Sequence, residues 1–554
     1  MNARGWGLFC AALLAACGGD DDATMDAGTD GGATVDAGAM EDAGSASDAG
    51  PDLLELQLLG INDFHGRLRP PSGTDLGGAA YLATHVAARE EANPNTLFLS
   101  AGDLVGGSAF LSGVLHDEPT IAVMNAIGLD AAGDGNHEHD RPVAELARLF
   151  EGGCHPDDGC FGETPWEGAD FPLLAANVQS ATAPTLFDRF AMQRVDGVSV
   201  GIVGVTYAST GDDILPAHAE GVEFSDEVAA INAVVPELLE MGAETIVALV
   251  HAGGRALAPP CESPSGPIFD LVPELHEAVD VVFSGHTHTA YLCEVDGRVV
   301  TAAGRYGELF SDVDLQIDRA TGDVVGHAME LVPVSRDVTP DAEVQAILDG
   351  YEAGLEDPVV GTITADLTRT PAVTGRIPMG LVVADAFLAR NEDAVMAFQN
   401  SGGVREALLH AASGDESEDG QVRRSELYAT TPFSNQLLTI SVTGAELKAF
   451  VEEQFTERLP TLPGLQPSAG VEIRFDASRD PGFRVLEITL DGVALDDEAT
   501  YRVTTNDFVL GRSTVLAEPR EEVYLGSDLE ALVAYFEGSS PIAPPEEARL
   551  VAVD

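Results

Sequence analysis

The sequence predicts an α/β protein of two domains, and three observations carry that prediction. Short aliphatic and β-branched runs bounded by Gly or polar residues recur through the N-terminal half, as expected of strands covered on both faces. Four of them, LLELQLLGIN, TLFLSAG, TIVALV and VVFSG, stop at or just before a side chain able to bind a metal ion. The 554 residues exceed what one hydrophobic core normally serves, and near Val334 the strand-rich pattern gives way to a helical one.

The first residues form a targeting segment. Arg4 supplies a positive start and Trp6 to Ala15 an apolar run, which is shorter than the ~20 residues needed to span a bilayer. Leu14-Ala15-Ala16-Cys17 reads as a lipobox, with Cys17 as the lipidated N-terminus after cleavage; the competing reading is a secretory signal with a chance cysteine. Residues 18–52 are mostly Gly, Ala, Asp, Ser and Thr, with ten acidic and no basic residues. Such a segment cannot bury enough apolar surface to offset chain entropy and is expected to act as an acidic tether.

The apolar runs lead to Asp63-Phe64-His65, Gly102-Asp103, His251 and Gly285-His286-Thr287-His288, with Gly135-Asn136-His137-Glu138 between. In open α/β sheets, sites form where the carboxyl ends of strands meet loops, so these segments are expected to converge. Asp63, His65, Asp103, Asn136, His251, His286 and His288 offer seven N and O donors, too many for one tetrahedral ion but suited to two ions sharing a carboxylate. With no cysteine in the set, Zn, Mn, Co or Fe with open positions is favoured over a thiolate site. Any one segment alone reads as turn chemistry around a satisfied histidine; their joint occurrence points to a metal-dependent phosphoesterase.

His137 and Asp140 make a candidate catalytic pair, in which an imidazole assists a leaving group and a carboxylate three residues on fixes its tautomer. The competing readings are His139 as the nearer histidine and Asp140 as N-cap of the helix that Arg141-Pro142 introduces. Leaving out Cys10 in the signal and Cys17, four cysteines remain: Cys154, Cys160, Cys261 and Cys293. Cys154 with Cys160 and Cys261 with Cys293 is one of three pairings in an oxidising compartment, and free thiols or a redox pair are the alternatives. Thr339 to Leu348 reads as a capped amphipathic helix. Beyond it, Asn400-Ser401-Gly402-Gly403-Val404-Arg405 and Thr431-Pro432-Phe433-Ser434-Asn435 read as a glycine loop and a turn.

On these motifs the chain resembles the 5′-nucleotidase family from about Leu53 to its end. The resemblance implies an N-terminal calcineurin-like dimetal phosphoesterase sandwich of two β-sheets flanked by helices, and a C-terminal α/β 5′-nucleotidase domain joined by a hinge helix. The expected boundaries are 1–17 signal and lipobox, 18–52 tether, 53–335 phosphoesterase, 336–358 linker helix and 359–554 substrate-binding domain. It also implies one metal on Asp63, His65, Asp103 and His288 and another on Asp103, Asn136, His251 and His286, with Asp103 bridging. Asn400, Arg405, Phe433, Asn435 and Phe508 align with the nucleotide pocket, the two phenylalanines as a base clamp. Two departures stand out: Val509-Leu510-Gly511-Arg512 replaces the usual ribose-anchoring loop, and Arg376 is spaced too close to Met379-Gly380 to match the family's substrate arginine.

The implied activity is metal-dependent hydrolysis of nucleoside 5′-monophosphates in the bacterial cell envelope, periplasmic or on the outer surface. Cyclic nucleotides, nucleotide sugars and other phosphate esters stay open as substrates. The alternative is a lipid-anchored surface binding protein with a vestigial dimetal site. A formal charge of −64 makes nucleic-acid polymers poor partners, since phosphate-backbone binding needs clustered Lys and Arg, and leaves the membrane as a partner only through the lipid. Cys17→Ser is expected to block lipidation. Mass spectrometry of the mature N-terminus checks this, and an unmodified peptide starting elsewhere would overturn the assignment.

Overall fold

The four apolar runs that stop at candidate ligands fold as strands, but they divide between two sheets. The computed structural model describes residues 52–70, 74–161, 165–183, 186–257, 261–412, 418–456, 461–516 and 522–553. The signal, Cys17 and the tether up to Pro51 lie outside the described residues. In the first sheet the strand order is Val324–Pro333, Leu309–Asp318, Leu53–Ile61, Thr96–Ser100, Ala131–Gly133, Leu173–Leu174. Leu53–Ile61, Thr96–Ser100, Ala131–Gly133 and Leu173–Leu174 run parallel, and the antiparallel pair Leu309–Asp318 and Val324–Pro333 closes one edge. The second sheet is ordered Ala290–Val295, Arg298–Ala303, Val281–Ser284, Thr245–His251, Val198–Thr206, Phe190–Val195, four parallel strands with an antiparallel strand at each edge.

The central strands of both sheets are buried on two faces, which is why they read as unbroken apolar runs instead of alternating. Leu54, Leu56, Leu58, Leu97 and Leu99 of the first sheet meet Val200, Ile202, Val247, Leu249, Val281 and Phe283 of the second. The opposite faces carry helices, among them Ala79–Ala92 and Glu118–Ile127 on the first sheet and Glu227–Glu240 on the second. The helix Ala342–Glu352 is capped by Asp341, whose carboxylate accepts from the amides of Glu343 and Val344 at 3.0 and 2.9 Å. Its buried Val344 and Leu348 belong to the core over the first sheet.

The remaining chain builds a five-stranded sheet ordered Leu465–Pro467, Met396–Asn400, Thr500–Asn506, Gln436–Thr443, Glu522–Ser527, and a four-stranded one ordered Val493–Ala494, Val485–Leu490, Val471–Phe475, Leu550–Ala552. Helices Pro378–Ala389 and Asp528–Ser539 share the core of the larger sheet, against which Phe110 and Val114 of the N-terminal part also rest. Cys154 is bonded to Cys160 and Cys261 to Cys293, with Cα separations of 4.5 and 5.0 Å. The second bond ties the loop after His251 to the edge strand beyond His288.

The sandwich closes tightly at Gly60, where an added Cβ would sit 2.3 Å from ring atoms of Phe283 on the facing sheet. Gly60→Ala is therefore expected to overpack the interface and cost about 1–3 kcal/mol. Denaturant unfolding at unchanged m-value measures it, and a stability equal to wild type would show that the sheets can slide apart freely.

Candidate functional site

Each strand that stops at a candidate ligand must turn its last side chain back toward a common point, and the backbone records this. Asp63, His65, Asp103, His286 and His288 all have φ between 50° and 73°, in the left-handed region. Such residues cost roughly 1–3 kcal/mol each and persist where surrounding structure fixes them. The amide of His65 donates to the carbonyl of Asp103 at 3.0 Å, that of Asp63 to Gly102 at 3.1 Å, and that of His286 to both oxygens of Asp63 at 3.0 Å.

The result is a buried convergence of donor atoms. Asp63, His65, Asp103 and His288 each bring one ligand atom within 4.8 Å of the others. His251 Nε2 lies 3.2 Å from Asp103 Oδ2, and His286 Nδ1 lies 3.0 Å from Asn136 Oδ1. Asp103 thus belongs to the cluster with Asp63, His65 and His288 and also faces His251, whose ring meets that of His286 edge-on, centroids 5.5 Å apart.

The chemistry of the set fits divalent ions. His251 Nδ1 donates to the Ala101 carbonyl at 2.8 Å and His65 Nδ1 to that of Gly106 at 2.7 Å, which leaves Nε2 of each neutral ring with a lone pair. His251 Nε2 is buried, has no hydrogen-bond partner and faces a carboxylate oxygen. Two acceptors at that distance need a cation or a proton between them. With a proton, burial pulls His251 down but the Asp103 carboxylate outweighs it and raises the ring to about 10. Burial and the neighbouring His251 depress His286 to about 4, so this imidazole offers a lone pair at neutral pH.

Glu138, given no role from sequence, holds two of the ligand loops together. Its buried carboxylate accepts from the amides of Asp103 and Leu104 at 2.9 and 2.8 Å and from Gly135 at 2.8 Å. His137 Nδ1 donates to Asp140 Oδ2 at 2.9 Å, and the same oxygen accepts from the Gly107 amide at 2.7 Å. Asp140 is not the N-cap of the helix that follows: helix Val143–Glu151 begins after Pro142 and has no side-chain cap. His139 is fully buried and paired with Asp134 at 2.9 Å, so it is a core residue. Burial lowers the His137 pKa, but Asp140 and Asp103 outweigh it and hold the ring above its ordinary value.

Part of this set opens on a cavity of about 500 Å³. Asp103, Asn136, His137, Asp140, His286 and His288 line it from the N-terminal domain, and Asn400, Arg405, Phe433, Asn435 and Phe508 from the C-terminal one. Phe433 lies nearly parallel to His137, centroids 6.0 Å apart at 17°, with the Arg405 guanidinium 5.7 Å above its ring. Arg512 sits 5.3 Å over Phe508. Arg369, which the sequence did not single out, lines the cavity and donates from Nε to the Val404 carbonyl at 3.0 Å. Arg376 instead donates to the carbonyls of Pro545, Glu546 and Glu547. Arg305 and Tyr306 also line the cavity and carry no sequence signal beyond following a strand.

A second donor group, His116, Glu145 and His155, also gathers within 4.8 Å. Its imidazoles are stacked face to face, 3.7 Å apart and 8° from parallel, and Glu145 is bonded by both its oxygens to Arg148. In-plane lone pairs of parallel rings do not converge on one ion, so this group makes a poor metal site.

With this geometry in view, the known proteins that the chain matches are informative. Residues 56–290 match the calcineurin-like phosphoesterase family and residues 359–517 the 5′-nucleotidase C-terminal domain. The chain is 30% identical over 521 residues to Endonuclease YhcR of Bacillus subtilis, covering 89% of this chain and 41% of that protein. It is 28% identical over 504 residues to Cell wall protein Lmo0130 of Listeria monocytogenes, covering 83% of this chain and 64% of that one. It therefore spans less than two thirds of the length of either relative. The 5′-nucleotidase precursor of Thermus thermophilus superposes with a TM-score of 0.74 at 25% identity, covering 90% of this chain and all of that one. With a calcineurin-like phosphoesterase domain followed by a 5′-nucleotidase C-terminal domain, this chain belongs to the 5′-nucleotidase family of metallophosphoesterases.

Proposed function

We propose that the protein hydrolyses nucleoside 5′-monophosphates to nucleoside and phosphate, at two divalent ions held by Asp63, His65, Asp103, Asn136, His251, His286 and His288. The observation that carries this reading is one cavity lined both by candidate metal donors (Asp103, Asn136, His286 and His288) and by two phenylalanines and three arginines (Phe433, Phe508, Arg305, Arg369 and Arg405). Zn, Mn, Co or Fe suits the donor set. Bound there, the ions supply a Lewis acid for the phosphoryl oxygens and a nucleophile at neutral pH.

The chain's own groups do the rest. Asp140 takes the Nδ1–H of His137 and, with Asp103, favours the protonated ring, so the imidazolium can give its Nε2 proton to the departing alkoxide and is left neutral with Nδ1–H still engaged. Arg369 and Arg405 present fixed positive charge to the ester, and stacking on Phe433 and Phe508 holds a base without demanding its identity. Cyclic nucleotides and nucleotide sugars share both recognition elements and belong to the same reading.

A site outside the cytoplasm is supported by the leader, by the two disulfides and by a relative named as a cell wall protein. No helix of the described residues is long and apolar enough to cross a membrane. The rival reading of a vestigial site is opposed by the filled ligand positions.

Chelation is expected to abolish phosphate release from AMP, and Mn, Co or Zn to restore it. Full activity in metal-free protein would overturn the dimetal reading, and hydrolysis of p-nitrophenyl phosphate but of no nucleotide would overturn the nucleotide one. His137→Ala is expected to keep both metals, by elemental analysis, and to lose ~10²–10⁴ in kcat on AMP. The loss should shrink on p-nitrophenyl phosphate, whose leaving group needs little protonation; equal losses on both substrates would refute the proton-donor role.

A further inference from the structure

Asp528 lies behind Asn435, a residue of the cavity lining, and is 1% exposed. It opens the helix Asp528–Ser539, whose capping box joins Ser527 and Glu530, so its carboxylate meets the positive end of the helix dipole. Oδ1 accepts from the Leu529 amide at 2.8 Å. Oδ2 accepts from Asn435 Nδ2 at 3.2 Å, while the Asp528 amide donates to the Asn435 carbonyl at 2.9 Å. Asn435 itself lines the cavity and is 6% exposed.

A carboxylate only accepts hydrogen bonds, so it decides which way the Asn435 amide points. The NH₂ group is turned to Asp528 and the carbonyl oxygen is left for the cavity. Asn400 is arranged in the opposite sense. Its Oδ1 accepts from Asn506 Nδ2 at 3.3 Å, which leaves its own NH₂ for a ligand.

We propose that Asp528 is a positioning residue for base recognition: by orienting the Asn435 amide it makes the base end of the cavity a hydrogen-bond acceptor, which takes nucleosides through an N–H donor on the base. The proposal rests on the nucleotide reading above and deepens it. It selects against bases whose edge carries acceptors alone, since these would leave the buried Asn435 oxygen unpaired.

The test compares adenosine, which has a 6-amino donor, with purine riboside, which lacks it and otherwise has the same shape. Both are titrated into the metal-loaded full chain by calorimetry. Burial pushes the Asp528 carboxyl up to about 7, so the titrations are run well above that pH. Wild type is expected to bind adenosine roughly tenfold tighter, the worth of one satisfied buried hydrogen bond. Asp528→Asn keeps the shape but can pair with Asn435 in either orientation, so the ratio should fall at least about threefold. General loosening of the pocket would weaken both ligands alike and leave the ratio unchanged. A wild-type ratio near one, or an unchanged ratio in Asp528→Asn, overturns the proposal while leaving the nucleotide reading intact. Binding of neither nucleoside by an enzyme that still hydrolyses p-nitrophenyl phosphate overturns the nucleotide reading itself, and the proposal with it.

Discussion

Asp63, Asp103, Asp134 and Glu138 place four carboxyl groups, none more than 3% exposed, at one end of a sandwich of apolar sheets. That buried acidity is the constraint on which the site depends. Among the described residues, Asp134 has an imidazole partner in His139 and Glu138 has backbone amides, while the ion pairs of Asp63 and Asp103 are with the candidate ligand histidines alone. A buried charge must be paired or coordinated. His65 and His251 spend their Nδ1 protons on backbone carbonyls, so they cannot neutralise Asp103 while neutral; cations can. The same reasoning explains why left-handed backbone at five ligand positions persists, because ordinary strand ends would aim these side chains apart.

Glu138 converts this local chemistry into architecture. Through amides of the Asp103 and Gly135 loops it fastens the carboxyl ends of two neighbouring parallel strands to one side chain. Burial and the nearby Asp103 and Asp134 charges push its carboxyl well above the ordinary range, and the amide donors pull the other way. A residue that touches no substrate thereby sets the distance between Asp103 and the Asn136-His137 turn.

The legibility of the sequence follows from the same physics. Strands buried on both faces are unbroken apolar runs, so their ends mark the loops, and Asp63, Asp103, His251 and His286 could be picked out before any coordinates. That the runs belong to two sheets was not legible for the runs alone, since sheet membership depends on strand pairing over separations no local pattern encodes. The two sheets followed only from the family resemblance. Arg369 escaped because it sits in an irregular stretch before helix Pro378–Ala389, where residue spacing says little about direction, while Arg376 was drawn to backbone carbonyls near the C-terminus. Asp140 resisted a unique reading for a related reason. Asp before Arg-Pro is a sound helix start, and only the neighbouring His137 ring and Gly107 amide outcompete that role.

The charge of the whole molecule bears on what can enter the cavity. With 92 acidic against 28 basic residues, the surface repels an anionic ester at long range, and screening confines that field to about 8 Å at physiological salt. Attraction must then be local, and the structure concentrates it. Arg305, Arg369 and Arg405 line the cavity, and Arg67, bonded to Glu406 at 2.8 Å, stacks on Tyr306 beside them. A small phosphate ester can reach these arginines inside the cavity. A polyanion must lie along the acidic exterior to do so, and it meets repulsion over its whole length. The Arg67–Glu406 pair, 339 residues apart in sequence, joins the loop after His65 to the residue next to Arg405, so the two domains' contributions to the cavity are set against each other by a contact beside the site. On the proposed nucleotide reading, capture of the phosphate and alignment of the base both depend on the same interdomain seam, the one at which Phe433 meets His137.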